Sequence, residues 1–120
     1  MTRRGAASTS IKVEGTPRRL PAEAELVLFR IAQEALRNVE KHAGPCSASV
    51  EVSFGSEDVT LSVTDNGQGF ELPEAGQLAR LGKLGLLGMQ ERAQLLGAEF
   101  SIRSRLGQGT SVRVRLPAKG

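Results

Sequence analysis

A chain of 120 residues with 39% hydrophobic content has the size of one domain and enough apolar residues for a single core, which excludes a disordered polymer. No run approaches about 18 uninterrupted apolar residues, so no bilayer span is expected, and the polar, basic segment 1–10 lacks the apolar centre of a signal peptide. The net charge of +3, with one cysteine (Cys46) and one histidine (His42), excludes an internal disulfide and a Cys/His zinc site and leads us to expect a cytoplasmic domain with no membrane contact of its own, whether or not a longer parent is anchored.

The arginines gather near the two ends, at Arg3, Arg4, Arg18 and Arg19 and at Arg103, Arg105, Arg113 and Arg115. Such a balance suits either nucleic acid or a solvated face. Single-strand binders need stacking rings. Trp and Tyr are missing here, and of Phe29, Phe54, Phe70 and Phe100 three sit where a core residue is expected. No nucleic-acid partner is therefore expected.

In chain order, residues 1–7 read as a flexible basic terminus, and residues 9–14 alternate weakly as a short strand. A turn-rich connection leads to Pro21, which suits the start of a helix. Over 22–43 Leu28, Ile31, Ala32, Ala35 and Val39 recur at helical steps, and Gly44-Pro45 stops the pattern. Cys46, Ala48, Val50, Val52 and Phe54 then alternate, as do Val59, Leu61 and Val63, giving two strands joined as a hairpin. Residues 71–84 have no clean period and contain Pro73, Gly76 and Gly82, which reads as a loop. A second helix is expected over 85–96, with Met89, Ala93 and Leu96 on one stripe and Gly97 as its stop. Phe100 and Ile102, then Val112, Val114 and Leu116, form a final hairpin about Gly107-Gln108-Gly109. Five strands with helices between two hairpins suit a two-layer α/β sandwich with the helices on one face.

Four segments carry candidate chemistry. Glu34 and Asn38, four apart with Arg37 and Lys41 nearby, share one side of the long helix. They read either as a polar helix face or as a site for hydrated Mg²⁺, which takes oxygen ligands and keeps several waters. Asp65-Asn66-Gly67-Gln68-Gly69-Phe70 follows an apolar strand. It reads either as a strand-end turn or as a carboxylate placed for an amino group, with glycines that let the backbone approach a ligand. Gly82, Gly85 and Gly88 precede a helix whose N-terminus offers N–H groups to a phosphate. Gly107-Gln108-Gly109-Thr110 reads by itself as a hairpin turn. A Walker loop is excluded because Gly76 and Gly82-Lys83 are one residue too far apart and Leu84 takes the Ser/Thr place. A dinucleotide fingerprint is excluded because Leu72 stands at its third glycine.

Taken in order, the four segments resemble the boxes of the ATPase superfamily shared by gyrase, the ninety-kilodalton heat-shock chaperones, mismatch-repair ATPases and histidine kinases. The wording of 30–43 (RIAQEALRNVEKHA), 65–70 (DNGQGF), 85–93 (GLLGMQERA) and 107–110 (GQGT) is similar to the N, G1 and G2 boxes and closing turn of sensor kinases that pair with LuxR-type (NarL-like) response regulators. The resemblance covers roughly residues 8–117. It implies a Bergerat-type ATP-binding fold over 8–118, a left-handed-crossover sandwich with a mixed sheet of about five strands, and a mobile ATP lid at 71–84.

The resemblance also implies roles. Asn38 would coordinate Mg²⁺, and Glu34 would polarise a water or the attacking group. Lys41 would act with Glu34 at the phosphate end, flanked by His42. Asp65 would bind the adenine amino group, with Gly67 and Gly69 making room and Thr110 nearby. Gly85, Leu86, Gly88 and Met89 would bend around the phosphates. Where many relatives carry a His before the second glycine box this chain has Lys83-Leu84, which leaves Lys83 to meet phosphate charge. The implied activity is transfer of the γ-phosphoryl group to a histidine on a separate dimerisation domain, with a response regulator as indirect partner. Two alternatives share the fold: an anti-sigma-factor-like serine kinase and a non-catalytic nucleotide-binding interaction module. Gln33-Glu34-Ala35-Leu36 followed by Lys41-His42-Ala43 favours the sensor-kinase wording.

Overall fold

The computed structural model describes residues 8–43, 46–69 and 86–118. The expected lid at 71–84, and with it Lys83, as well as Phe70 and Gly85, lies outside the described residues. So do the side chains of His42 and Leu86.

The described chain runs β1 (Ser8–Gly15), α1 (Ala22–Asn38), a π-helical turn (Val39–Ala43), β2 (Ser47–Phe54), β3 (Asp58–Asp65), α2 (Leu86–Leu95), β4 (Glu99–Arg105) and β5 (Gly109–Pro117). The five strands form one sheet in the order β1-β2-β3-β5-β4. β1 and β2 are parallel, and all other neighbours are antiparallel. The parallel pair is forced by α1, which carries the chain back to the starting end before β2 begins. The expected five-stranded mixed sheet with helices on one face is observed.

The register sorts the side chains into rows across the sheet. Ile11, Val50, Val63, Val112 and Ile102 form one row, and Val13, Val52, Leu61, Val114 and Phe100 the next. These rows face the helices. On α1, Ala24, Ile31 and Ala35 meet them, and on α2 Met89 and Ala93 do so. Ile31, Met89, Val59 and Val114 are the largest fully buried side chains. At about 1.5–3 kcal/mol for each buried side chain of this size, this stripe-on-row contact is what holds the two layers together. The other face of the sheet is polar. Its rows read Ser10, Ser49, Thr64, Ser111, Arg103 and Lys12, Glu51, Ser62, Arg113, Ser101. A sheet covered on one side only needs this alternation.

Two details depart from the sequence reading. The helix expected to 43 is α-helical only to Asn38, and its last turn widens to π geometry. Among the described phenylalanines, Phe29 is 60% exposed on α1, Phe54 is partly buried, and only Phe100, partly buried, packs against the core. Phe29 stands about two and a half helical turns before Asn38 and so points to the opposite side of α1, away from the core stripe.

Candidate functional site

The apolar rows end at a polar one. Thr9, Ala48, Asp65, Thr110 and Ser104 are aligned across the strands on the helix side, at the C-terminal end of β3. Asp65 and Ser104 are the buried polar side chains among the described residues. Asp65 and Thr110 are direct register partners. The Ser104 hydroxyl lies 2.8 Å from the Thr110 hydroxyl and 3.1 Å from the Gly109 carbonyl oxygen, to which it donates. A polar row at this depth is costly unless hydrogen-bonded, and here each of the three residues has a partner.

Backbone contacts set the shape of this end. The Gly67 N–H donates to Asp65 Oδ1 at 2.8 Å, which turns the chain immediately after β3 and orients the carboxylate. The Asn66 N–H donates to the Ser47 carbonyl at 3.2 Å, and Asn66 Oδ1 accepts the Ser47 N–H at 2.8 Å. The Gly107 N–H donates to the Gln68 carbonyl at 2.7 Å. Segment 65–69 therefore lies main chain against main chain on the β4–β5 turn. Gly69 and Gly109 permit this, with φ of 62° and 79°. A Cβ on Gly69 would collide with the Arg105 carbonyl oxygen, and a Cβ on Gly109 with that of Asp65. The sequence singles out both positions, but the reason for them is close packing of two turns.

The C-terminal end of α1 comes to the same place. Val39 packs with Ala48, beside Leu36 and Cys46, and Ala48 is the register partner of Asp65. Asn38 therefore ends α1 next to the polar row. Glu34 and Asn38 are half-buried, whereas Lys41, in the π turn, is exposed. The neighbourhood has an electrostatic signature at Cys46. Its thiol is pushed above its ordinary range, first by burial and then by the negative charge of Asp65.

α2 begins at Leu86, so the N–H groups of Leu86, Leu87, Gly88 and Met89 belong to a first turn without intrahelical acceptors. Gly88 sits within that turn. Met89 needs correction. The resemblance places it at the ligand, but its side chain is fully buried in the core against the sheet. Only its main chain is left to face a phosphate. Ser104 is the residue that the sequence reading missed. Its signal is a hydroxyl at a position where Phe100 and Ile102, in the same alternation, are apolar.

The mixed sheet, with helices on one face, thus ends in a buried carboxylate held by the glycine turn after β3. The model of the histidine kinase-, DNA gyrase B- and HSP90-like ATPase family matches residues 23–120. The chain is 39% identical over 104 residues to the signal transduction histidine-protein kinase/phosphatase DegS of Bacillus subtilis, covering 87% of this chain and 27% of that protein. It is 45% identical over 100 residues to the sensor histidine kinase YhcY of the same organism, covering 83% of this chain and 26% of that one. Among solved structures, the blue-light activated histidine kinase of Erythrobacter litoralis EL346 superposes with a TM-score of 0.76 at 26% identity, over 95% of this chain and 36% of that one. The chain belongs to this ATPase family and is an ATP-binding domain of the kind that sensor histidine kinases carry. It spans about a quarter of the length of the curated relatives it matches.

Proposed function

We propose that this domain holds Mg²⁺-ATP over the polar row and delivers its γ-phosphoryl group to a histidine on a dimerisation domain, from which a response regulator of the LuxR type is phosphorylated. The observation that carries the reading is the buried Asp65 carboxylate, oriented by the Gly67 N–H within a row of otherwise small or hydroxyl side chains. An acceptor-only group held at that depth fits an exocyclic amino donor such as that of adenine. Thr110 lies beside it, Gly67 keeps the approach free of a side chain, and Gly69 lets the turn pack close enough to shape it. The first turn of α2, with Lys83, meets the phosphates by its N–H groups and dipole.

Among the described residues no three His, Cys, Asp or Glu side chains form a metal cluster. The side-chain oxygen of Asn38 suits Mg²⁺ when phosphate oxygens and water complete the shell. The ion would supply charge neutralisation on the phosphates. Glu34, one helical turn before Asn38, orients the attacking group, and Lys41, flanked by His42, adds positive charge at the outer edge. Positioning and electrostatics account for most of phosphoryl transfer, so the nucleophile can come from another domain. The sole histidine, His42, sits in the turn that continues α1 and is assigned to the binding side of the phosphates.

The test is titration calorimetry with ATP, with and without Mg²⁺, followed by labelled ATP with a sensor-kinase dimerisation domain added in trans. The expected result is Mg²⁺-enhanced binding and acid-labile label on the added domain, with none on this chain. Acid-stable label on a serine of a partner would make the domain an anti-sigma-type kinase. Binding without transfer would make it an interaction module. Label on His42 would overturn the assignment of the nucleophile.

A further inference from the structure

β1 is the margin of the sheet, and among the described residues it pairs only with β2. Ile11 and Val13 share rows with Val50 and Val52 and so stand on the helix side, yet they are 74% and 51% exposed. The reason is the placing of the helices: α1 packs on β3 and α2 on β4. An open strand edge presents N–H and C=O groups to any further strand. A lysine on such an edge ordinarily opposes pairing. In β1, however, Lys12 is followed on the same side of the strand by Glu14, and the two form an ion pair at 3.2 Å.

We propose that β1 is a self-complementary edge, through which two copies of this chain join their sheets antiparallel about a twofold axis at Val13. In that register Val13 faces its own copy and Ile11 faces Gly15. Lys12 of each chain faces Glu14 of the other. The apolar residues meet on the helix side, and opposite charges meet on the open side. Cross-strand pairs of both kinds stabilise an antiparallel ladder. Neighbouring registers lack this match. An axis at Lys12 opposes two lysines, one at Glu14 opposes two glutamates, and one at Ile11 leaves both charges facing serine. Parallel pairing in register also sets Lys12 against Lys12. A twofold axis normal to the sheet keeps both helix layers on one side, so Ile11 and Val13 of the two copies form one continuous apolar strip. The contact is short, so it forms a weak, concentration-dependent dimer rather than an obligate one. It does not depend on nucleotide.

Sedimentation velocity over a wide concentration range tests the proposal. The 12.8 kDa chain should shift towards twice that mass as concentration rises. Lys12→Glu and Glu14→Lys should each move the transition at least about tenfold higher in concentration, the equivalent of about 1.4 kcal/mol. The double variant Lys12→Glu/Glu14→Lys should restore it. Val13→Cys, in a Cys46→Ser background, should be captured as a covalent dimer by a short bifunctional thiol reagent. Circular dichroism melts matching the parent confirm that each variant folds. A parent that stays monomeric at every concentration would overturn the proposal. So would a dimer that ignores the single charge reversals, or one that the double reversal fails to restore.

Discussion

The two halves of the candidate site are built by different means. Asp65 and the turn after it are fixed by main-chain contacts: to Gly67 within the turn, to Ser47 on one side, and to the 105–109 hairpin on the other. Glu34 and Asn38 project from one flank of α1, while the helix is held by a separate stripe of Ala24, Ile31 and Ala35. In the first region, shape and fold share the same atoms. In the second, the side chains proposed to meet a ligand are not the ones that hold the helix. A change to the backbone of the first region should therefore affect stability and binding together, whereas a change confined to a ligand-facing side chain in either region should affect mainly binding.

The largest expected effect is at Gly109. Alanine there must adopt a left-handed conformation, at about 1–2 kcal/mol, and its Cβ also meets the Asp65 carbonyl oxygen. Gly109→Ala should cost more than about 2 kcal/mol by thermal denaturation and abolish ATP binding in parallel. An unchanged melting temperature would break the contrast. Asp65→Asn sharpens it, because the amide oxygen can still accept the Gly67 N–H while the charge is lost. A hydrogen bond to a charged group is worth about 1.5–3 kcal/mol, so ATP affinity should fall at least about tenfold with a much smaller shift in melting temperature. Equal losses in both would make Asp65 a structural residue only.

Asn38→Ala belongs to the other half. It should remove the Mg²⁺-dependent part of ATP affinity, leave adenosine binding intact and barely move the melting temperature, since alanine is the best helix former. Parallel loss of adenosine binding would show that α1 and the polar row are not separable. The smallest effect is read at Cys46. Its thiol is held above the ordinary range by burial and then by the Asp65 charge, so the reactive thiolate is scarce at mildly alkaline pH. Removing the negative charge in Asp65→Asn lowers that value and should speed thiol modification at fixed pH. The same rate in parent and variant would mean that the charge does not act on Cys46.

Much of this was legible in the residues. The alternation of Val59, Leu61 and Val63 and of Val112, Val114 and Leu116 places both strands and their buried faces. The Ile31, Ala35 and Val39 spacing does the same for α1. Asp65 and the glycines after it are marked by a turn sequence at a strand end. What sequence could not carry is pairing. That β3 sits beside β5, and so sets Asp65 opposite Thr110 with Ser104 beyond, depends on non-local register. Ser104 on its own reads as one more polar strand residue. Met89 misled for a related reason. One residue offers its main chain to the helix start and its side chain to the core, and a motif does not distinguish the two. The bareness of Ile11 and Val13 likewise depends on how far the helix layer extends, which no local pattern encodes.

The π-helical turn at Val39–Ala43 has a consequence for how chain length varies at this point. Such a turn holds one residue more than an α-turn. It lies downstream of Glu34 and Asn38 and upstream of β2, so a single-residue deletion inside it would return the segment to α geometry without disturbing either residue. The chain beyond the turn would keep its direction, because five residues in π geometry and four in α geometry each make about one turn. Segment 39–43 is thus a place where the chain can lose one residue while Glu34 and Asn38 before it and β2 after it keep their places.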